Sequence, residues 1–370
     1  SSSAPPILSG RRPNPRIAQM KRTFYFLSRS TLAMLGIAIL LAIVAVAIWG
    51  LFYNAPTTHL ESSCSYFYGQ QTNNTCTVCV YPNSGSAPAP NCYPVNSDTP
   101  SLIAPTWNLH TLNPGPLPLG SLSVYAPDPF FFNIAAGLIV GAHWTVEIAV
   151  AIVATGAVIG LLLGAVSGYV GGRTDEVIMR FTDIFLSIPG LLLILVLLAV
   201  LTSQGFASTL QARIELLIGA FVITWWPTYA RIVRSQVFVT REQKYVEAAK
   251  ASGAKTGRLL FRHIIPNSIY PVFVQVSLDV GTIPLLIGAI VYLGFHIFPT
   301  AYFPEWGSIS AQSIIIIPES VLTCQVTTVG QCVLPWWQIL FPGLAVFLFA
   351  ISVNFVADGL RDALDPRLRR

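Results

Sequence analysis

The chain has 370 residues, of which 53% are hydrophobic and only 10% are charged, with a formal net charge of +5. Soluble domains carry about 25% charged residues, so this composition excludes an ordinary water-soluble fold. The 21 Lys and Arg residues cluster at the flanks of apolar runs, where membrane topology accounts for them, and this excludes a nucleic-acid binder.

In chain order, residues 1–30 form a basic arm and residues 31–53 are free of charge. A helix needs roughly 20 such residues to cross the hydrocarbon of a bilayer, so 31–53 is the first expected span. Arg22 and Arg29 precede it as they would a signal peptide. The run is too long for one, and no small-residue cleavage site follows, so a retained anchor is expected. Residues 54–133 hold no Lys or Arg, twelve prolines and four cysteines, and read as a loop-rich insertion. Residues 134–357 supply five further expected spans, at about 134–170, 184–201, 214–233, 269–297 and 336–357. A basic loop occupies 240–266, and 358–370 is a tail.

Basic residues set the orientation. With the N-terminus in the cytoplasm, 20 of the 21 Lys and Arg fall inside and only Arg213 falls outside. Cytoplasmic loops carry the Lys/Arg excess, so both termini are expected inside and 54–133 outside.

All six cysteines then share the outer side: Cys64, Cys76, Cys79 and Cys92 in the insertion, Cys324 and Cys332 in the last outer loop. An even number on the oxidising side favours disulfides. Cys324 pairs naturally with Cys332, while the other four allow three connectivities. Cys76-x-x-Cys79 also has zinc-like spacing, a rival reading that the even count disfavours. Asn73-Asn74-Thr75 is a glycosylation sequon on the same side.

Eight basic residues crowd the stretch from Arg231 to Arg262. Within it, residues 245–254 read as a short helix ended by Gly253, and a second helical stretch over 256–264 is expected to stop near Pro266. Ala248, Ala249 and Ala251 leave a thin surface that another protein's backbone can approach. Two short helices meeting at a glycine make a compact knob suited to docking. A basic segment lying on anionic lipid explains the charges alone, but not the alanine, glycine and proline pattern.

Inside the spans, His143 and Glu147 lie four apart on one helical face, and Asp279 lies near Gly281 and Pro284. Charges within a span face a water-filled path or a partner, which makes these three candidates for a translocation path; a structural hydrogen bond is the plainer reading. Trp225-Trp226 and Trp336-Trp337 read as interfacial anchors. No Gly-x-x-x-x-Gly-Lys-Ser/Thr loop is present, so nucleotide hydrolysis falls to another polypeptide. No catalytic or metal site is expected.

Tyr245-Val246-Glu247-Ala248-Ala249-Lys250-Ala251-Ser252-Gly253-Ala254 and Arg262-His263-Ile264-Ile265-Pro266-Asn267 resemble the EAA loop of the dipeptide/oligopeptide/nickel permeases of ATP-binding-cassette (ABC) importers. Further matches follow in order: Gly171-Gly172 with Asp175-Glu176, Pro304-x-Trp306-Gly307, Phe341-Pro342-Gly343, and the ending Asp358-Gly359-Leu360-Arg361-Asp362, which resembles the C-type subunit. Three features depart from the family. Ile265 stands where leucine usually precedes the proline, Pro118-Leu119-Gly120-Ser121 stands in the region of the usual Gly-Thr-Asp and Gly-Arg-Asp signature, and the outer loop is enlarged.

The resemblance implies an all-α polytopic membrane protein, with six transmembrane helices in the type I ABC importer arrangement, to which the composition of 54–133 adds an extracellular loop domain between the first two. It assigns ATPase coupling to Tyr245, Glu247, Ala248, Ala249, Gly253, Arg258 and Pro266. The implied partners are a homologous B-type permease subunit, two ATPase subunits holding ATP and Mg, an extracellular substrate-binding protein and the lipid bilayer. Peptides are the expected cargo and oligosaccharides the alternative. A stand-alone secondary transporter and a membrane receptor or anchor are the readings from other classes.

Overall fold

A computed structural model describes residues 30–52, 75–80, 91–96, 121–124, 130–206, 209–295, 305–312, 314 and 336–364. Cys64, Asn73, Cys324, Cys332 and Pro304 lie outside the described residues.

The first helix, α1 (Thr31–Phe52), is followed by four short strands: β1 (Thr75–Val80), β2 (Asn91–Asn96), β3 (Ser121–Val124) and β4 (Phe130–Asn133). β1 pairs antiparallel with β2, and β3 with β4, in two separate two-stranded sheets. The insertion therefore carries short strands as well as loop, while the spans themselves are helical. Chain β4 leads directly into α2 (Ile134–Val170), then α3 (Gly172–Leu186), α4 (Gly190–Ser203) and α5 (Leu210–Arg241). The basic loop holds α6 (Lys244–Ala251), α7 (Thr256–Leu259), a wide π turn (Leu260–Ile264) and α8 (Ile265–Ser268); α9 (Tyr270–Tyr292), a short helical stretch over 306–312 and α10 (Trp336–Leu364) follow.

Among the described residues, α1, α2, α5, α9 and α10 are long and apolar enough to cross a membrane, and α3 with α4 makes a sixth if the pair counts as one broken span. That pair bends by 83°. The break falls inside the expected span 184–201 and has a local cause. Pro189 is extended (φ −55°, ψ 123°), and a proline biases the residue before it away from the helical region. The helix therefore stops at Leu186 and restarts at Gly190.

The expected span 269–297 ends early, at Tyr292. Gly294 has φ +85°, with Gly294 N–H donating to Val291 O at 3.0 Å and Phe295 N–H to Ile290 O at 3.2 Å. These two bonds close the helix in a Schellman motif, which favours glycine. The fourth span is longer than expected, running to Arg241. Its start is fixed by Thr209, whose side chain accepts from Ala212 N–H at 3.2 Å, satisfying one orphan donor.

α2 and α5 form the most extensive helix pair. Gly160, Gly164 and Gly168 lie along one face of α2, and a Cβ at each would sit 2.4 Å from Tyr229 Cβ, 2.4 Å from Ala230 O and 2.7 Å from Arg234 O, respectively. Backbone meets backbone there, as small residues permit in membrane helix pairs. α1 packs on α10 and α2, and α9 on α10. Trp226 and Trp337 are buried, so one tryptophan of each pair is a core residue rather than an interfacial anchor. Trp226 packs against Phe181 and Phe185 of α3. Outward faces are apolar, with Leu35, Leu41 and Trp49 of α1 and Leu192, Val196 and Val200 of α4 all exposed, as expected of surfaces solvated by lipid tails.

Candidate functional site

The basic loop is a knob with a rooted inner side and an open outer side. Val246, Leu259, Leu260 and Ile264 are buried and join the core, while Glu247, Ala248, Gly253, Arg258 and Pro266 are exposed and Ala249 is half-buried. Tyr245 is 44% and Phe261 63% exposed. α6 ends in a second Schellman motif: Gly253 N–H donates to Lys250 O at 3.0 Å and Ala254 N–H to Ala249 O at 3.2 Å. Gly253 has φ +81°, and nothing lies within 4 Å of a Cβ built there. Its glycine is required by backbone conformation, and its surroundings are open to an approaching surface.

Pro266 does not stop the second helical stretch, contrary to expectation. The helix widens to a π turn over Leu260–Ile264, with Ile265 N–H donating to Leu260 O, and α8 then runs through Pro266 to Ser268. A proline ring crowds the carbonyl one turn back and offers no N–H; the wider turn makes room. Asn267 Nδ2 donates to His263 O at 2.6 Å, supplying a side-chain donor for a carbonyl in that turn. Ser268 Oγ donates to Thr240 Oγ1 at 2.9 Å, fastening the returning chain to the end of α5.

Beside this root, three helices are bolted together. Asp175 of α3 accepts a bidentate pair from Arg234 of α5 and a third hydrogen bond from Ser167 of α2. Arg241, the last residue of α5, donates to the carbonyls of Gly168 at 3.0 Å and Tyr169 at 3.3 Å. A cation on the final carbonyls of α2 also suits the helix dipole. Arg231 pairs with Asp183 in a more exposed position. The link runs from α2 and α3 through Arg241 to α6, which begins three residues later.

At the far end, Glu305 is fully buried. It accepts from Gly307 N–H at 2.9 Å, Ser308 N–H at 2.8 Å, Ser308 Oγ at 3.1 Å and Thr145 Oγ1 at 3.4 Å. Trp306 donates from its backbone to Thr145 Oγ1 at 3.0 Å and from its indole to Leu138 O at 2.9 Å. A Cβ at Gly307 would fall 2.0 Å from Pro284 O, so the Trp-Gly step is wedged between α2 and α9. Burial pushes the Glu305 carboxyl up to about 7, against the opposing pull of its four donors.

The three path candidates do not converge into one cluster. Asp279 is 8% exposed and accepts from Tyr229 Oη at 2.6 Å and Gln275 Nε2 at 2.9 Å. That bond ties α9 to α5. His143 Nδ1 pairs with Val140 O of its own helix at 2.9 Å, and Glu147 is exposed. Among the described residues, no hydrogen bond joins either of them to Asp279.

Sequence reasoning passed over Glu305, which stands in the unspecified position of Pro304-x-Trp306-Gly307, and over the joining of Asp175 to Arg234, 59 residues away. The signal for Glu305 was a lone acid between two apolar segments.

Fold and site together define a multi-pass membrane protein with a rooted, outward-facing basic knob. Residues 160–370 match the family model described as "Binding-protein-dependent transport system inner membrane component", and the chain belongs to that family. It is 34% identical over 245 residues to the dipeptide transport system permease protein DppC of Alkalihalophilus pseudofirmus, covering 66% of this chain and 72% of that one. It is 36% identical over 231 residues to the oligopeptide transport system permease protein OppC of Bacillus subtilis, covering 62% and 67%. A third relative, the probable D,D-dipeptide transport system permease protein DdpC of Escherichia coli, is 34% identical over 252 residues, covering 68% and 76%. The chain is thus a permease component of an ABC importer in the cell membrane and not an enzyme; ATP hydrolysis in such importers lies in separate subunits.

Proposed function

We propose that this chain is the C-type transmembrane subunit of an importer that carries di- and oligopeptides into the cell by alternating access. Peptide cargo rests on the names of its relatives. The coupling role rests on one observation above all: α6 and the glycine that closes it present Glu247, Ala248 and Gly253 outward from a base of buried side chains. A docked element transmits rigid-body motion only if it is stiffly rooted. ATP binding draws two cytoplasmic ATPase subunits together, one of them gripping α6 over Tyr245 to Gly253, with Arg258 and Pro266 at its edge. Motion passes through Arg241 and the Asp175–Arg234 bolt into α2, α3 and α5. A homologous B-type subunit completes the pathway, and an extracellular binding protein delivers cargo.

Both termini and the knob face the cytoplasm in this reading, α3 with α4 supplies the sixth span, and 54–133 forms an extracellular domain with disulfides and a sugar-bearing Asn73. His143 and Glu147 face the path near its outer end, and Asp279 shapes it through its hold on Tyr229. ATP and Mg are bound by the partner subunits, not by this chain.

The test is Gly253→Val in the reconstituted complex. A β-branched residue at positive φ costs roughly 1–2 kcal/mol and unwinds the end of α6. Uptake is expected to fall at least tenfold while the complex still assembles and hydrolyses ATP. Uptake at the parental rate per ATP would remove the coupling role.

A further inference from the structure

We propose that Cys79 and Cys92 form a disulfide across β1 and β2. This rests on the reading that 54–133 lies outside the cell, where thiols oxidise and stay oxidised.

Backbone register carries the argument. Cys79 is the direct cross-strand partner of Cys92, and Cys76 that of Val95. Directly opposed residues in an antiparallel pair have Cα atoms about 4.5–5.5 Å apart, inside the range of about 4.4–6.8 Å that a disulfide spans. Cys76 lies three residues further along the strand, about 10 Å at about 3.3 Å per residue. A Cys76–Cys92 bond therefore exceeds the limit of about 7 Å. Cys76 and Cys79 are separated by the same distance along one strand and occupy opposite faces of it. That excludes a bond between them and removes the compact turn that zinc-binding Cys-x-x-Cys pairs need. Of the three connectivities, one requires Cys76–Cys92 and another Cys76–Cys79. Both are excluded, and the register leaves Cys79–Cys92.

The sheet also needs the bond. β1 and β2 form a sheet of two strands, and a two-stranded hairpin alone is marginal in water. A cross-link one pair from the end of the ladder, where Val80 faces Asn91, closes the ten-residue connection 81–90 and pins the register. The oxidant is an extracytoplasmic dithiol–disulfide exchange protein. A thiolate of the pair attacks its disulfide, giving a mixed disulfide; the second thiolate displaces the carrier. Two electrons leave on the carrier as a dithiol, and the two protons pass to it or to solvent.

The test uses the full chain in its own membrane. Free thiols are blocked with N-ethylmaleimide, the protein is digested with pepsin at low pH to suppress exchange, and linked peptides are sequenced by tandem mass spectrometry. A Cys79–Cys92 link is expected, retained in Cys76→Ser and lost in Cys79→Ser. A Cys76–Cys92 or Cys76–Cys79 link overturns the proposal, as do Cys79 and Cys92 both found alkylated. An epitope inserted at Ser86, stained on intact and on permeabilised cells, reports the side independently. Staining only after permeabilisation overturns the orientation. Alkylated cysteines with staining on intact cells overturn the disulfide alone.

Discussion

Glu305 shows how one side chain holds a junction that the apolar pattern leaves blank. It receives four hydrogen bonds from Gly307 and Ser308, at the start of the helical stretch 306–312, and from Thr145, and so fastens that stretch to α2. Its carboxyl is raised from 4.5 to about 7 by burial. The folded state therefore holds this proton more tightly than the unfolded state does. Between those two values the unfolded state binds fewer protons, so stability falls as pH rises through the window and is flat below it. Thermal unfolding of the detergent-solubilised protein is expected to shift downward between pH of about 4.5 and about 7. In Glu305→Gln that slope flattens, at a cost of about 1–3 kcal/mol for an amide N–H facing the Ser308 donors. An unchanged slope in the variant would place the titration elsewhere.

At the scale of elements, the α2–α5 pair is the frame that the rest hangs on. Its glycine face lets the backbones meet, and Asp175 and Arg241 lock the end nearest the knob. Gly164→Leu would drive a side chain into Ala230 O, which lies 2.4 Å from even a Cβ. Overpacking of this kind costs about 1–3 kcal/mol, expected as a lower melting temperature and reduced yield. Asp175→Asn removes charge from a partly buried bidentate pair. That falls between the surface and buried cases and costs about 1–3 kcal/mol. Its distinguishing result is functional: ATP hydrolysis in the assembled complex persists while uptake per ATP drops severalfold. Loss of both in proportion would assign the pair to stability alone.

For the molecule as a whole, the exposed apolar faces of α1 and α4 suit a lipid surround, and under the proposed function the exposed knob meets an ATPase. The assembly's cargo is read most directly from its binding protein. Mass spectrometry of the ligand carried by the binding protein that co-purifies with this chain is expected to find peptides. A bound oligosaccharide would keep the ATP-driven mechanism and overturn the cargo, and would make the enlarged insertion the first place to seek the reason.

The apolar runs, the clustering of the basic residues at their flanks and the Glu247–Gly253 pattern were legible without coordinates, because each is local. A span needs only length and the absence of charge, and Gly253 announces a helix end whose hydrogen bonds lie within five residues. Proline at 189 announced a disturbance but not its size, since an 83° bend depends on what α3 packs against. Pro266 misled, because a proline ends a helix only where the preceding turn does not widen. Three features lay beyond the sequence: the Asp175–Arg234 bolt, the burial of Glu305 and the facing of Cys79 with Cys92. Each joins residues that the chain separates and only packing or strand register brings together. Sequence by itself determined that this chain lives in a membrane and carries a basic loop with a helix ended at Gly253. Tertiary structure alone decided which charges meet, because a charge's partner and its burial are properties of distance in space.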